Sequence, residues 1–128
     1  MAIQVGDKLP EAKFRVMTAE GPQVKTTDDI FKGKGVNTIA IISVNDAFVM
    51  NAWKRDTDQR DEAIFLADGN ADFAKAIGME LDASGNGLGI RSKRYSMLVE
   101  DGKVTKFNIE PAPGKVEVSG GDTLLGQL

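Results

Sequence analysis

The chain has 128 residues and a formal net charge of −3 at pH 7, and it contains neither cysteine nor histidine. This length fits one domain over residues 1–128, which can bury roughly two-thirds of the surface that the unfolded chain exposes. Charges of both signs are interspersed, so the sequence offers no basic surface for nucleic acid or for an anionic membrane. The missing residue types exclude disulfides, thiolate metal sites and imidazole catalysis, and we expect no cofactor and no metal.

The distribution of apolar residues bears on membranes and on location. No run reaches the ~18 apolar residues that a membrane-spanning helix needs. Residues 1–10 lack the basic start and following apolar run of a secretory signal. We therefore expect a cytoplasmic protein without a membrane partner.

The first elements are short. Alternating apolar and basic residues predict a strand over Ala12–Val16, and Gly21-Pro22 is expected to interrupt it. Thr27-Asp28 provides N-cap residues for a short helix that Gly33 or Gly35 could end.

The middle of the chain alternates strand with helix. The β-branched run Thr38–Val44 is typical of a parallel strand buried on both faces. Asn45-Asp46 then offers N-cap residues for a second helix. A second buried strand is predicted over Ala63–Ala67 and a further helix over Asp72–Met79. This alternation is the rhythm of an α/β fold.

The last third predicts an antiparallel hairpin and a closing helix. Ser84–Gly89 reads as a glycine-rich connector. Tyr95–Glu100 and Lys103–Glu110 flank Asp101-Gly102, a dipeptide that suits a two-residue hairpin turn. Gly120–Leu128 predicts a short helix with its leucines on the inner side. Pattern alone thus predicts an α/β domain with a mixed sheet.

Several motifs occur together in one order along nearly the whole chain. They are Val5–Asp7 with Leu9-Pro10, Phe31–Lys34, Ser43–Val49, Trp53, Leu66–Asp68 and the long segment Arg91–Gly102. In these motifs the chain resembles the one-domain peroxiredoxins of the type-five group, also called type II. The resemblance implies a thioredoxin-like fold.

One segment of that family is missing. In the family, the Phe-Lys-Gly-Lys motif leads into a strand, the active-site loop with the peroxidatic cysteine, and a crossover helix. Here Lys34 is joined directly to Gly35, so the missing part is close to the roughly 30 residues of a βαβ unit. The predicted fold is therefore α/β, a thioredoxin-like mixed sheet with flanking helices that lacks one central strand and one helix.

The resemblance implies a site of which one half is present. Members of the family reduce hydroperoxides with a thiol reductant by attack of a thiolate on the O–O bond, and an arginine stabilises that thiolate. Arg94 matches this arginine, whereas its sulfur partner is absent from the chain. A methionine cannot replace it, because a thioether has no ionised form and is itself consumed by oxidation. Arg94 is thus predicted to be a vestigial active-site residue.

The missing strand also has a structural consequence. By resemblance it would lie between the strands at residues 39–44 and 95–100, and each buried backbone group left without a partner costs roughly 1 to 3 kcal/mol. The flanking strands could close up, the strand at residues 39–44 could slide into the gap, or a second chain could supply a strand. We hypothesise a rearranged sheet, or a homodimer or strand-exchanged oligomer.

Other candidate sites have simpler interpretations. Arg91 and Lys93 are expected to be surface charges. Ser84–Gly89 lacks the ending of a phosphate-binding loop and is assigned no ligand. Five carboxylates between positions 58 and 72 do not have the spacing of a calcium loop, and no metal is assigned to them. They are Asp58, Asp61, Glu62, Asp68 and Asp72.

The second helix carries a candidate interface. The resemblance places the region around Phe48 near a dimer contact, and aromatic residues are enriched at interfaces. Val49 and Trp53 could equally pack on the sheet. Phe48 is the predicted interface residue.

Three functions remain open from the sequence. The first is a peroxiredoxin-type domain that is inactive because it has no thiol. The second is an incomplete form of an active thiol peroxidase. The third is a non-catalytic interaction module that adds a partner strand to an exposed sheet edge.

Overall fold

In the computed structural model, the described residues are 2–31, 38–58, 61–112, 114 and 116–128. Along these ranges the strands are β1 (Lys13–Thr18), β2 (Gly21–Thr26), β3 (Ile39–Ser43), β4 (Ala63–Ala67), β5 (Glu80–Asp82), β6 (Ile90–Ser92), β7 (Tyr95–Glu100) and β8 (Lys103–Ile109). The helices are α1 (Thr27–Phe31), α2 (Ala47–Thr57), α3 (Asp72–Ala76) and α4 (Gly121–Leu125).

The largest sheet has four strands in the order β2-β1-β4-β3. β3 and β4 are parallel, with registers from Ile39 opposite Ala63 to Ser43 opposite Ala67. β1 is antiparallel to both β2 and β4. The sheet is therefore mixed, as the sequence predicts, and within the described residues β3 stands at its edge.

The hairpin of β7 and β8 forms a sheet of its own. Its turn residues Asp101 and Gly102 have φ values of 51° and 79°, the left-handed conformation that a type I′ turn requires. The N-terminal segment covers the outer edge of β8, where the Gly6 N–H donates to the Val104 carbonyl at 2.8 Å. The outer edge of β7 faces away from this cover.

A shared apolar core joins the hairpin to the four-stranded sheet. The rings of Phe14, from β1, and Phe73, from α3, lie 5.1 Å apart at its centre. Val104 brings in β8, and all three side chains are at most 1% exposed. The complete buried cluster is Ile3, Ala12, Phe14, Leu66, Phe73, Ile77, Met79 and Val104. This core holds the two sheets together although no strand pairing between them is described.

Helix α2 packs on the opposite face of the large sheet. The Asp46 carboxylate accepts a hydrogen bond from the Val49 N–H at 2.8 Å, so the predicted N-cap is confirmed. Met50 is buried, and the Trp53 ring meets the Phe65 ring edge-on at 5.4 Å. Sheet, helices and hairpin thus form the predicted α/β arrangement.

Several sequence predictions need correction. Gly21-Pro22 does not end the strand region, because it opens β2 of a hairpin with β1. The prediction of a connector at Ser84–Gly89 is confirmed, and the short paired strands β5 and β6 that it joins are additional to the prediction. Leu125 and Leu128 are exposed, since α4 is a single turn too short to bury every leucine. The helix end at Gly33 or Gly35 and the junction at Lys34 lie outside the described residues.

Asp68 provides a test of the fold. Its buried carboxylate accepts hydrogen bonds from the N–H groups of Phe73 and Ala74 at 3.0 and 2.9 Å. Asp68→Ala leaves both donors without this acceptor, so we expect the free energy of unfolding to fall by roughly 1 to 3 kcal/mol in urea denaturation followed by circular dichroism. The exposed Asp72→Asn is the control, and an equal loss in both variants would contradict this role.

Candidate functional site: a cavity between two strand edges

A cavity of about 600 Å³ lies between β3 and β7. It is lined by Ile30 and Phe31 of α1, by residues 38–44 and 91–99, and by Trp53, Phe73 and Leu124. Its walls are mainly apolar, and its polar groups are concentrated where β3 ends and β7 begins. This is the place where the resemblance puts the missing strand.

Arg91 ties the end of β3 to the segment before β7. Its Nη1 donates to the Val44 carbonyl at 3.0 Å and to Asn45 Oδ1 at 2.9 Å, and its Nε donates to the Leu88 carbonyl at 2.9 Å. The expectation that Arg91 is only a surface charge is therefore wrong. Because Val44 directly follows β3 and Arg91 lies shortly before β7, this bond places the end of β3 near the start of β7, which is the arrangement of antiparallel strands.

Arg94 lies immediately before β7 and lines the same cavity. Its side chain is exposed, and its carbonyl accepts a hydrogen bond from the Glu110 N–H at 3.0 Å. Lys93 is exposed beside it and also lines the cavity. We call Arg91, Lys93 and Arg94 the basic end of the cavity. The role of Arg94 toward a thiolate stays a prediction.

Glu110 organises the chain next to Arg94. Its side chain is buried, and Oε2 accepts hydrogen bonds from the N–H groups of Glu117, Val118 and Ser119 and from the Ser119 hydroxyl, at 2.6 to 2.9 Å. Burial raises the pKa of Glu110, but these hydrogen bonds outweigh it and lower the pKa to about 2. Nothing local in the sequence identifies Glu110, because the groups it binds lie seven to nine positions later.

Among the described residues that line the cavity there are hydroxyl groups but no carboxylate or histidine to activate them. Burial, together with the negative charge of Asp68, raises the pKa of Tyr95 well above its ordinary value. The phenol is therefore protonated at neutral pH. Ser43, Ser92 and Ser96 also line the cavity, but a serine hydroxyl needs an adjacent base to attack, and the chain has no histidine.

Three of the five carboxylates considered as metal ligands have other partners. Asp58 and Asp61 both pair with Lys54 at 2.7 Å. Asp68 caps α3. In the part of the chain that the structure describes, no group of three or more acidic side chains is placed to hold a metal ion.

Phe48 lies apart from the cavity on the first turn of α2. It is 68% exposed, and Val49 and Trp53 on the same helix are 48% and 42% exposed. Trp53 reaches the cavity wall. Exposure of these apolar side chains on α2 is compatible with the predicted interface at Phe48.

The sequence matches a known family model, described as Redoxin, over residues 16–125. The chain belongs to this family. Its relatives are peroxiredoxins, so the resemblance seen in the sequence is confirmed. Peroxiredoxin-2F, mitochondrial, from Arabidopsis thaliana is 40% identical over 107 residues, 84% of this chain and 53% of the relative. Hybrid peroxiredoxin hyPrx5 from Haemophilus influenzae is 45% identical over 109 residues, 84% of this chain and 45% of the relative.

Solved structures confirm the thioredoxin-like fold. Reduced Prx3 in complex with H2O2 from Vibrio vulnificus superposes with a TM-score of 0.89 at 36% identity, covering 98% of both chains. By contrast, the chain spans only about half the length of the two curated relatives, 53% and 45%. The family assignment is therefore secure, whereas the activity and partners of a whole peroxiredoxin do not pass to this chain directly.

Two observations bear on the predicted location. No helix among the described residues is long and apolar enough to cross a membrane. The Arabidopsis relative is named as a mitochondrial protein. A cytoplasmic location thus stays a prediction.

The lowered pKa of Glu110 predicts a pH-dependent stability. A carboxylate with a depressed pKa in the folded state stabilises the fold above its ordinary value of 4.5, and this contribution is lost as the pH falls to about 2. We expect Glu110→Gln to melt at a lower temperature than the native chain at pH 7. The difference between them should shrink from pH 4.5 to pH 2.

Calorimetric melting temperatures across this pH range would measure the effect. Glu117→Gln is the matched control, because the Glu117 side chain is exposed while its N–H donates to Glu110. A deficit of Glu110→Gln that does not change with pH would contradict the assignment.

Proposed function

We propose that this chain is a peroxiredoxin-fold protein that does not reduce hydroperoxides. The observation that carries the proposal is the absence of cysteine from a chain that otherwise keeps the family's motifs. Peroxide reduction in this family needs an ionised thiol, and a cation can only lower the pKa of a thiol that is present. Arg94 is on this view the remnant of a thiolate-stabilising site.

The alternative of an incomplete thiol peroxidase is favoured by one fact: the curated relatives are about twice as long as the part that matches. In that case the native protein would carry the cysteine segment, and hydroperoxide and a thiol reductant would be its substrates. Intact mass separates the two cases. The chain as given has a mass of 13.7 kDa. A protein that also contains the cysteine segment would be heavier by the mass of roughly 30 residues.

A hydroperoxide consumption assay tests the proposal on protein of verified mass. With hydrogen peroxide and dithiothreitol, we expect a rate equal to that of the buffer blank. Arg94→Ala should give this same rate, because no thiolate is present for the arginine to stabilise. Turnover above the blank that Arg94→Ala lowers would overturn the proposal.

We further propose that two copies associate through the exposed apolar surface around Phe48 on α2. Phe48, Val49 and Trp53 expose apolar surface on one helix, and such exposed clusters mark interaction sites. Burying Phe48 against a second copy would remove the most exposed aromatic ring of α2 from water. The native state would then be a homodimer.

Light scattering coupled to size exclusion measures this association. We expect Phe48→Asp to halve the mass observed for the native chain, because a buried charge opposes the contact. Val24→Asp is the control, since Val24 is 49% exposed on β2 at the far edge of the sheet. A native chain that is monomeric at all concentrations would refute the homodimer.

A further inference from the structure

We propose that the cavity between β3 and β7 binds an extended apolar peptide segment of a partner protein, parallel to β3 and antiparallel to β7, with its C-terminal carboxylate at the basic end. The proposal rests on the proposed function, because the segment that carries the cysteine in the family would fill this cavity, and peptide binding is measured separately from peroxidase activity. It gives the interaction-module interpretation a specific surface and ligand.

The edge of β3 that faces the cavity can be assigned from hydrogen bonds. The Ser43 carbonyl accepts from the Asp68 N–H at 2.9 Å, so it points toward the β4 side. Because main-chain groups alternate sides along an extended strand, those of Ala40 and Ile42 point toward the cavity. By the same alternation the Val44 carbonyl points toward the cavity, and it accepts a hydrogen bond from Arg91 there.

The facing edge of β7 follows from the same reasoning. The Arg94 carbonyl accepts from the Glu110 N–H at 3.0 Å, and the Leu98 carbonyl accepts from the Thr105 hydroxyl at 3.2 Å. Even-numbered residues therefore direct their main-chain groups toward β8. Those of Tyr95 and Met97 point into the cavity.

The two edges suit an inserted strand. Within the described residues, neither edge pairs with another strand. Since β3 and β7 run antiparallel, a strand between them is parallel to one and antiparallel to the other, and both pairings are ordinary sheet geometry. β3 has five residues, so a segment of about five residues, roughly 17 Å long, would pair along it.

The side chains of these strands favour an apolar ligand. The sequence of β3 is typical of a strand covered on both faces. In the structure, however, Ile39 is 58% exposed, and the other four residues of β3 are only half-buried. Met97 and Leu98 of β7 are also half-buried. An inserted β-branched strand would bury this surface, as peptides do when they add to a sheet edge.

Charge gives the ligand its direction. The basic end contributes two arginines and a lysine to the lining, and among the described residues that line the cavity none is acidic. Arg91 donates to neutral carbonyl and amide oxygens, so these contacts leave its charge uncompensated. A carboxylate following the inserted strand would meet this charge only if the peptide runs parallel to β3, because β3 ends there.

A labelled peptide tests the proposal directly. The probe is Lys-Lys-Thr-Ile-Ala-Ile-Ile-Ser-Val with fluorescein at its N-terminus and a free carboxylate, and fluorescence anisotropy measures its binding to the full chain. We expect saturable binding. The C-terminal amide should bind about twofold to fivefold more weakly, as for one partly exposed ion pair. Proline in place of the central isoleucine removes a main-chain donor and should weaken binding about tenfold or more.

Protein variants locate the site. Ala40→Pro and Met97→Pro each remove an N–H that points into the cavity, and edge positions tolerate proline. We expect each to weaken the peptide about tenfold. Val24→Pro is the matched control: the Thr27 N–H points to β1 and the Thr26 N–H to Asp29, so by alternation the Val24 N–H points away from β1. Circular dichroism and cooperative urea unfolding verify that each variant folds.

The outcomes are distinguishable. Absence of peptide binding, equal binding of carboxylate and amide, or equal weakening by all three proline variants would overturn the proposal. Self-association that Ala40→Pro and Met97→Pro both abolish, without peptide binding, would place a second copy in the cavity and also overturn it. The peptide comparisons need no protein variant, so they decide the matter even if a proline variant does not fold.

Discussion

The constraint on which this structure depends is that main-chain groups at a strand edge need hydrogen-bond partners. β3 and β7 each pair with one described strand and turn their other edges toward a common cavity. In a thioredoxin-like sheet this is the place of a central strand. The fold is nevertheless held together, because the core around Phe14 and Phe73 joins sheet and hairpin from one side. Arg91 joins them at one end of the cavity.

The same gap explains the chemistry. The segment that would fill it in the family also carries the nucleophile, so scaffold and catalysis are separated in this chain. What remains is a cation, Arg94, at the wall of an apolar cavity, with a neutral Tyr95 and serine hydroxyls. Such a site can attract an anion and can pair with main chain, but it cannot attack an O–O bond. Binding, as proposed above, is the function that such a site leaves open.

Local chemistry made much of the fold predictable. The hairpin turn at Asp101-Gly102, the Asp46 cap and the β-branched run of β3 are each encoded by neighbouring residues. β2 was missed because its sequence, with Gly, Pro and exposed polar residues, resembles a break. Arg91 was misjudged because its partner Val44 is 47 positions away, and no sequence spacing reveals such a contact. Tertiary contacts, rather than propensities, placed the basic end of the cavity.

Amide hydrogen exchange of the free protein, resolved by residue, tests the central claim most directly. If the two edges face the cavity without strand partners, the amides of Ala40 and Met97 exchange at least about tenfold faster than those of Ile41 and Leu98, which point to β4 and β8. Equal protection of all four amides would show that both edges are already paired, and it would contradict the account.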